Sequence, residues 1–347
     1  MTGASGYIGS RLTEFAIREG YTVHGLSHSA AGCARLRSLG AVAVEGDLTS
    51  YSLLRSEASQ ADIVIHLAKV MSIDAQVVDA LAEGLATSKS SSTAKPKLFI
   101  ETSGTAIVAP DENDGETDET APEHPNPLNR RIDCERYALS KAYTKTKTED
   151  GKDSGSGIKV VALRLPPFVY GHGGSGVKLF LEIYAQKTGY VVRVGDGCAK
   201  TSVVHVDDAA RGYLLVCKQY LHATARLNDN DSPSSSGTRK NENENENKNS
   251  EIYNLTSSTE VTFRELTDAM AHVLDLPVRE MSAEQAGNVT GGILVPAFLT
   301  LRNRSKSDKA RRELGWNPVE VGIIEDITRG SYMEVARGAK ATAEVKA

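Results

Sequence analysis

A doubly wound, parallel α/β sheet with a small, mainly helical C-terminal cap is the fold class this sequence predicts. Three observations carry that reading. Gly3, Gly6 and Gly9 form a Gly-x-x-Gly-x-x-Gly loop, short apolar runs alternate with amphipathic stretches through residue 104, and the part after residue 257 is helical with few strands. At 347 residues the chain can bury one large core or two modest ones.

The elements follow in order. In "YIGSRLTEFAIREG", Ile8, Leu12, Phe15 and Ala16 share a helical face, and Gly20 suits the helix end. "YTVHGLS" reads as a buried strand, "AAGCARLRSLG" as a helix, "AVAVEGD" as a strand, "YSLLRSEASQ" as a helix and "ADIVIHLA" as a strand. "IDAQVVDALAEGLATS" then gives a longer helix and "KPKLFIETSG" a strand. Short strands separated by helices of this length pair in parallel, with both sheet faces covered.

Polar stretches interrupt the rhythm. Residues 111–126 are acidic and carry prolines, as a surface loop would, and residues 144–157 have no apolar periodicity. The low-complexity tract within 226–250 cannot bury a core and reads as a disordered insertion between a helix over 208–223 and the strand "EIYNLT". The expected division is a dinucleotide-binding domain over 1–175 and 200–256, a substrate-binding cap over 176–199 and 257–332, and a tail over 333–347.

Each glycine of the opening loop has a physical purpose. One permits a tight turn, one lets a pyrophosphate approach the backbone, and one lets helix and strand pack closely. The phosphates would sit on the helix N-terminus, where unsatisfied N–H groups and the helix dipole favour anions. Gly3, Ser5, Gly6, Tyr7, Ile8 and Gly9 are therefore candidate cofactor contacts. The strand that follows ends in "GLSHS" with no carboxylate for a ribose 2′-hydroxyl. His28, between Ser27 and Ser29, leans the reading toward NADP over NAD.

Together, "TGASGYIG", "EGDLTS", "VIHLA", "ETSGT", "LRLPPFVYGHGG", "VGDG", "VVHVDDAARGYLL" and "LGWNP" resemble the short-chain dehydrogenase/reductase superfamily. The similarity is to its extended or atypical branch, the NAD-dependent epimerase/dehydratase-like proteins with a Rossmann-type sheet, and it runs from Thr2 to about Tyr332. That resemblance implies adenine contacts from Asp47 and Leu48, and a cofactor wall at Leu67 and Ala68. It implies a catalytic hydroxyl from the segment of Ser103 and Thr105, and a nicotinamide neighbourhood at Pro166, Pro167 and Phe168. His205 and Asp208 would lie near the cap, with Asp208 capping its own helix.

The resemblance also implies a Tyr-x-x-x-Lys pair on one helix, with tyrosine as acid/base and lysine lowering its pKa; the four-residue spacing places both on one face. Tyr137–Lys141 and Tyr143–Lys147 both match. Tyr137 and Lys141 are the favoured pair. A helix already running from Leu128 opens a second register, in which Arg131 and Glu135 take the two positions, as in members with a degenerate active site.

The expected activity is hydride transfer between a nicotinamide and a carbonyl or alcohol carbon of a small molecule, with a catalytically silent NAD(P)-binding sensor as the alternative. A net charge of −5 without a basic stripe argues against a nucleic-acid partner. The longest apolar run, "GGILVPAFLTL", is too short to span a bilayer, and no signal peptide is visible, so a cytoplasmic protein is expected. The four scattered cysteines form no Cys-x-x-Cys pair, so neither a disulfide framework nor a metal site is expected; a homodimer stays open. Only Met1 and Thr2 precede the glycine loop, which leads us to expect an N-terminally truncated chain whose longer form carries an apolar strand of about five residues upstream.

Overall fold

The computed structural model describes residues 1–69, 72–87, 97–124, 131–142, 146–147, 153–154, 157–229 and 250–346. Two compact units result, one of Met1–Ser103, Asn126–Leu163 and Ala210–Tyr253, the other of Gly104–Pro125, Arg164–Ala209 and Asn254–Ala347.

The first unit opens with α1 (Tyr7–Arg18), β1 (His24–Ser27), α2 (Ala30–Ser38), β2 (Val42–Glu45), α3 (Tyr51–Ala58), β3 (Ile63–His66), α4 (Asp74–Ala86) and β4 (Lys97–Gly104). It continues with α5 (Arg131–Leu139), the antiparallel pair β5 (Thr146–Lys147) and β6 (Asp153–Ser154), and β7 (Ile158–Leu165). Every strand and helix read from the sequence before residue 104 is present, trimmed by a few residues at its ends. Gly20, at φ +87°, turns the chain out of α1 as its position suggested.

β1 pairs with β2 in parallel, β3 pairs with β4 in parallel, and β4 is followed outward by β7 and then β11 (Ser250–Asn254). Met1 and Thr2 lie between β1 and β3. The Thr2 amide donates to Ile65 O at 3.0 Å, Leu26 N donates to Met1 O at 2.9 Å, and Thr2 bridges His66 in parallel. The order β2, β1, Met1–Thr2, β3, β4, β7 is the doubly wound order, and its reversal falls at Met1–Thr2, where such sheets bind ligands. Beside these two residues runs a cavity of about 460 Å³, lined by Leu26, Val44, Leu54, Val64 and Leu81 among others.

Leu54 and Ala58 of α3 pack with Val77, Val78, Leu81 and Leu85 of α4 over Val64 and Phe99 of the sheet. Burying each of the leucine, valine and phenylalanine side chains stabilises the unit by about 1.5–3 kcal/mol, and the Ala58 methyl by about 0.8 kcal/mol, before the entropy of ordering is subtracted.

In the second unit the chain forms β8 (Phe168–Tyr170), α6 (Ser175–Ile183), β9 (Val191–Val194), β10 (Lys200–His205) and the start of α7 (Val206–Asp229). Then come β12 (Ser258–Thr262), α8 (Phe263–Leu274), β13 (Val278–Met281), α9 (Ala283–Thr290), α10 (Leu294–Leu299), α11 (Asp308–Leu314), α12 (Ile323–Arg329) and α13 (Tyr332–Lys346). Strand content exceeds expectation: β10 lies between β12 and β8, and β9 pairs with β13. The expected tail over 333–347 is largely the helix α13, with Ala336 and Ala339 buried beside Tyr332. The expected helix over 208–223 is α7; most of the polar tract after it, Tyr143, and the segment where a helix from Leu128 would begin lie outside the described residues.

Asp208 binds the second unit together. Its carboxylate accepts the amides of Val319 at 3.0 Å and Glu320 at 3.1 Å, and its main-chain carbonyl accepts Trp316 Nε1 at 2.9 Å. Where the local pattern suggested a cap for its own helix, the side chain serves a loop more than a hundred positions away. Asp208→Ala leaves two amides without these acceptors, so urea unfolding is expected to register a loss of about 1–3 kcal/mol, with Asp208→Asn losing less.

Candidate functional site

The glycine loop is built as its spacing demands. Gly3 sits at φ +67°, Gly6 N donates to Gly3 O at 3.0 Å, and a Cβ on Gly9 would lie 2.0 Å from Gly3 O, so no other residue fits there without moving the loop. Gly6 precedes α1, no side chain caps that helix, and its first turn holds no acidic residue. An anion is the natural partner of such a terminus. Ser5 Oγ reaches Ser27 Oγ at 3.4 Å, while Tyr7 and Ile8 stand half-buried in the first turn of α1.

Other expected contacts lie at neighbouring strand ends. His28 is exposed after β1, between Ser27 and Ser29, and Ser29 caps α2 through Gly32 N. Asp47 follows β2, and its carboxylate accepts Thr49 N, Thr49 Oγ1 and Ser50 Oγ, which hold it below the usual carboxylate range. Leu48 packs at the edge of the first unit's core. Leu67 and Ala68 are half-buried after β3, and Ala68 N lies 2.9 Å from where a Cβ on Gly3 would be.

Thr2 joins the loop to β3. Its Oγ1 accepts the amides of Leu67 and Ala68, each at 3.2 Å, so its own proton goes to His66 Nδ1 at 2.7 Å. That assigns His66 its Nε2–H tautomer, facing Asp74 Oδ1 at 3.4 Å. Burial holds His66 below the ordinary imidazole range, consistent with a neutral ring. Burial would raise Asp74, but the His66 hydrogen bond and the Lys69 charge outweigh it and hold that carboxyl down.

Lys69 bridges Asp74 at 3.2 Å and Glu101, the residue paired with His66 across β3 and β4. Despite Lys69, burial pushes Glu101 up to about 8, and its Oε2 has no hydrogen-bond partner among the described residues. Ser103 Oγ is likewise buried without a partner. Side chains two apart on a strand share a face, so these two unsatisfied oxygens lie on one side of β4. Thr102, on the other side, bonds Tyr213 of α7 at 2.9 Å.

α5 brings Cys134 and Glu135 toward this network. Cys134 hydrogen-bonds Asp74, and burial together with Asp74 pushes its thiol up to about 12; the charge of Glu135 acts on Glu101. Arg131, at the head of α5, acts electrostatically on Tyr213. Tyr137 takes another direction. Its hydroxyl meets both oxygens of Asp79 at 2.8 Å, Lys141 Nζ lies 3.0 Å from that hydroxyl and 2.6 Å from Asp79, and the ammonium sits over the ring. Asp79 is nearly one and a half turns along α4 from Asp74 and is partly exposed. Tyr137 and Lys141 thus form a pair, as their spacing required, anchored on the flank of α4.

The remaining expected residues belong to the second unit. Thr105 Oγ1 donates to Asn303 Oδ1 at 2.8 Å, and Asn303 Nδ2 returns a bond to Thr105 O. Pro166 is buried, and the Phe168 ring packs among Phe180, Phe263 and Phe298 in that unit's core. Of the cysteines, all free, Cys33, Cys134 and Cys217 are buried and Cys198 is exposed. No helix among the described residues is long and apolar enough to cross a membrane.

The NAD dependent epimerase/dehydratase family matches residues 1–227. The chain belongs to this family. An uncharacterized protein of Saccharomyces cerevisiae is 27% identical over 96% of this chain and 98% of its own, and one of Schizosaccharomyces pombe is 26% identical over the same shares. Among solved structures, MoeE5 in complex with UDP-glucuronic acid and NAD superposes with a TM-score of 0.65 at 20% identity, covering 97% of this chain and 98% of the other. A UDP-glucose 4-epimerase from Thermotoga maritima gives 0.64 at 20% identity, covering 97% of each. The chain shares its Rossmann-type sheet with both solved structures.

Sequence reasoning missed His66, Lys69, Asp74 and Glu101 as a group. The available signal was a charged or polar residue inside otherwise apolar strands, "VIHLAK" and "LFIET", which must be paired when buried. Glu101 carries the consequence for pH. Its ordinary value is 4.5, so between there and about 8 the folded chain keeps a proton that the unfolded chain has released. Its contribution to stability is full below the lower value and vanishes as pH rises through the upper. Glu101→Gln removes that loss: its Tm relative to wild type is expected to rise by roughly 5 °C from pH 5 to pH 9, as read by calorimetry.

Proposed function

We propose that this chain is an NAD(P)-dependent oxidoreductase of the epimerase type, acting on a carbonyl or alcohol carbon of a small molecule. The observation that carries the proposal is the uncapped N-terminus of α1 behind Gly3, Gly6 and Gly9 at the reversal point of the sheet. The loop closes on its own backbone so tightly that little other than an anion-binding role explains three glycines there.

Gly3, Gly6 and the first turn of α1 would hold the pyrophosphate, with Ser27, His28 and Asp47 toward the adenosine and Leu67 and Ala68 along the wall. A bound nicotinamide dinucleotide supplies hydride acceptance and donation. The chain's own part is to hold and move protons. Ser103 Oγ, buried and without a hydrogen-bond partner among the described residues, can donate to a substrate oxygen, and Glu101 on the same face of β4 keeps a proton near neutral pH. Lys69 positions Glu101 and Asp74, and Asp74 with Thr2 fixes the His66 ring.

NADP remains the proposed preference over NAD, on His28 and the absence of a carboxylate in the strand-end segment 25–29. MoeE5 and the Thermotoga epimerase are complexes with sugar nucleotides, and a 25% identical relative from Dictyostelium discoideum, matching 63% of this chain, is a sterol-4-alpha-carboxylate 3-dehydrogenase. A UDP-sugar and a sterol alcohol are therefore the first substrates to try. A second reading, a dinucleotide sensor without turnover, is favoured by one observation: Tyr137 is engaged with Asp79, while Glu135 of α5 acts electrostatically on Glu101 of β4 and Arg131 on Tyr213.

Gly6→Asp separates binding from folding. A Cβ at this position would lie 3.1 Å from Gly3 O, so a Tm loss of a few degrees is expected, partly offset by the carboxylate capping α1. The same carboxylate repels a phosphate, so NADPH affinity of the folded variant by fluorescence titration is expected to fall at least about 100-fold. Unaltered affinity in that variant would remove the basis for the proposal. With NADP⁺ or NAD⁺ and UDP-sugars or sterol alcohols, Ser103→Ala is expected to lower kcat about 10²-fold or more at little change in cofactor affinity, whereas Tyr137→Phe leaves kcat within about twofold of wild type. Cofactor binding without turnover of any of these substrates in the wild type would favour the sensor.

A further inference from the structure

A slot runs through the first unit between β1 and β3. These strands do not pair with each other; among the described residues only Met1 and Thr2 bridge them, at one end. Met1 N donates to His24 O at 2.7 Å, Leu26 N donates to Met1 O at 2.9 Å, and Thr2 N donates to Ile65 O at 3.0 Å, so the gap is one strand wide. The cavity of about 460 Å³ beside Met1 continues this gap.

Backbone alternation fixes which groups face it. Val23 O accepts Val42 N and Asp62 O accepts Leu98 N, which turns Val23 toward β2 and Asp62 toward β4. His24, Ile63 and Ile65 alternate with these and face the slot. Among the described residues His24 N, Ile63 N, Ile63 O and Ile65 N have no hydrogen-bond partner. Four such groups in a gap of strand width are what an added strand satisfies. In the parallel direction set by Thr2 and His66, its last residue donates to Ile63 O and accepts Ile65 N. The residue before that accepts His24 N, and the third from the end accepts Ile63 N.

The walls and ends select the occupant. Leu26, Leu54, Val64, Leu81 and Leu221 line the slot, and a strand covered on both faces is apolar throughout. One end is open, with Gly20, Thr22, Gln60 and Asp62 exposed; Met1 closes the other. A parallel strand entering from the open end stops at Met1 with its C-terminus, whereas an antiparallel one would bring its own ammonium against the Met1 amine. Burial pushes that amine down to about 6, against the charge of Glu57, and Glu57 is itself bonded to His24 Nδ1 at 2.8 Å. A carboxylate at this point gives the amine a counter-ion.

We infer that this slot binds the apolar C-terminal tail of a partner protein as an added parallel strand between β1 and β3, with the tail's carboxylate against the Met1 amine. Main-chain bonds supply the affinity of such a complex, and the apolar walls select its side chains.

The test titrates the 347-residue chain with acetyl-Lys-Lys-Gly-Ile-Val-Val-Val bearing a free C-terminus, by calorimetry and with Tm as a second readout. One equivalent is expected to bind, and excess peptide to raise Tm by several degrees. Amidating the C-terminus is expected to weaken binding about tenfold. N-methylating the final valine amide removes the bond to Ile63 O and is expected to weaken it at least about tenfold. Leu221→Asp, at an exposed position, keeps the Tm of the free chain and weakens the peptide at least about tenfold. The peptide analogues leave the protein unaltered and so test the site independently of that variant. Absence of binding, equal binding of acid and amide, equal binding of the N-methylated analogue, or binding untouched by Leu221→Asp would overturn the assignment.

Discussion

One hydroxyl organises the glycine-loop end of the first unit. Thr2 Oγ1 accepts two successive amides after β3 and gives its proton to a buried histidine. A hydroxyl has one proton and two lone pairs, so this arrangement leaves no freedom in its roles. The two amides hold Leu67 and Ala68 against Gly3, and the histidine becomes a neutral donor toward Asp74. A valine at this position would keep the shape and lose all three bonds. The glycine loop and the charge network at the ends of β3 and β4 are thereby parts of one hydrogen-bonded structure.

That network is costly in the way buried charge always is. Lys69 bridges two carboxylates, Asp74 and Glu101, and the surroundings of the two differ. Asp74 also receives His66 and Cys134, and its charge is stabilised; Glu101 receives Lys69, with Asp74 and Glu135 opposing, and burial prevails. Two carboxyls within reach of one cation are so pushed in opposite directions, the usual physical basis for separating a proton holder from a permanent anion.

Much of this was legible in the sequence, for reasons that differ by residue. The three glycines announce their loop because only glycine tolerates φ +67° at Gly3 and a 2.0 Å approach at Gly9. Most strands before residue 104 were legible because parallel strands covered by helices are largely apolar; their order in the sheet was not. The Tyr137–Lys141 contact was legible because i and i+4 share a helix face. Which neighbour that face meets was not, since the rotation of α5 is set by Ile132, Cys134 and Ala138 sinking into the core, an outcome of packing. Phe168 illustrates the same limit: its apolar ring was compatible with lining a cofactor, and three other phenylalanines enclosed it instead.

By itself, then, the sequence determined the fold class, the place of the glycine loop and the family, because glycine sterics, hydrophobic periodicity and motif order are local properties. Tertiary structure alone decided the partners of polar groups distant in the chain. It brought Thr2 to His66, Lys69 to Glu101, Asp208 to Val319, and His172 to Asp207. Desolvation and hydrogen-bond satisfaction act between whichever side chains the packed core places together, and chain separation carries no record of that placement.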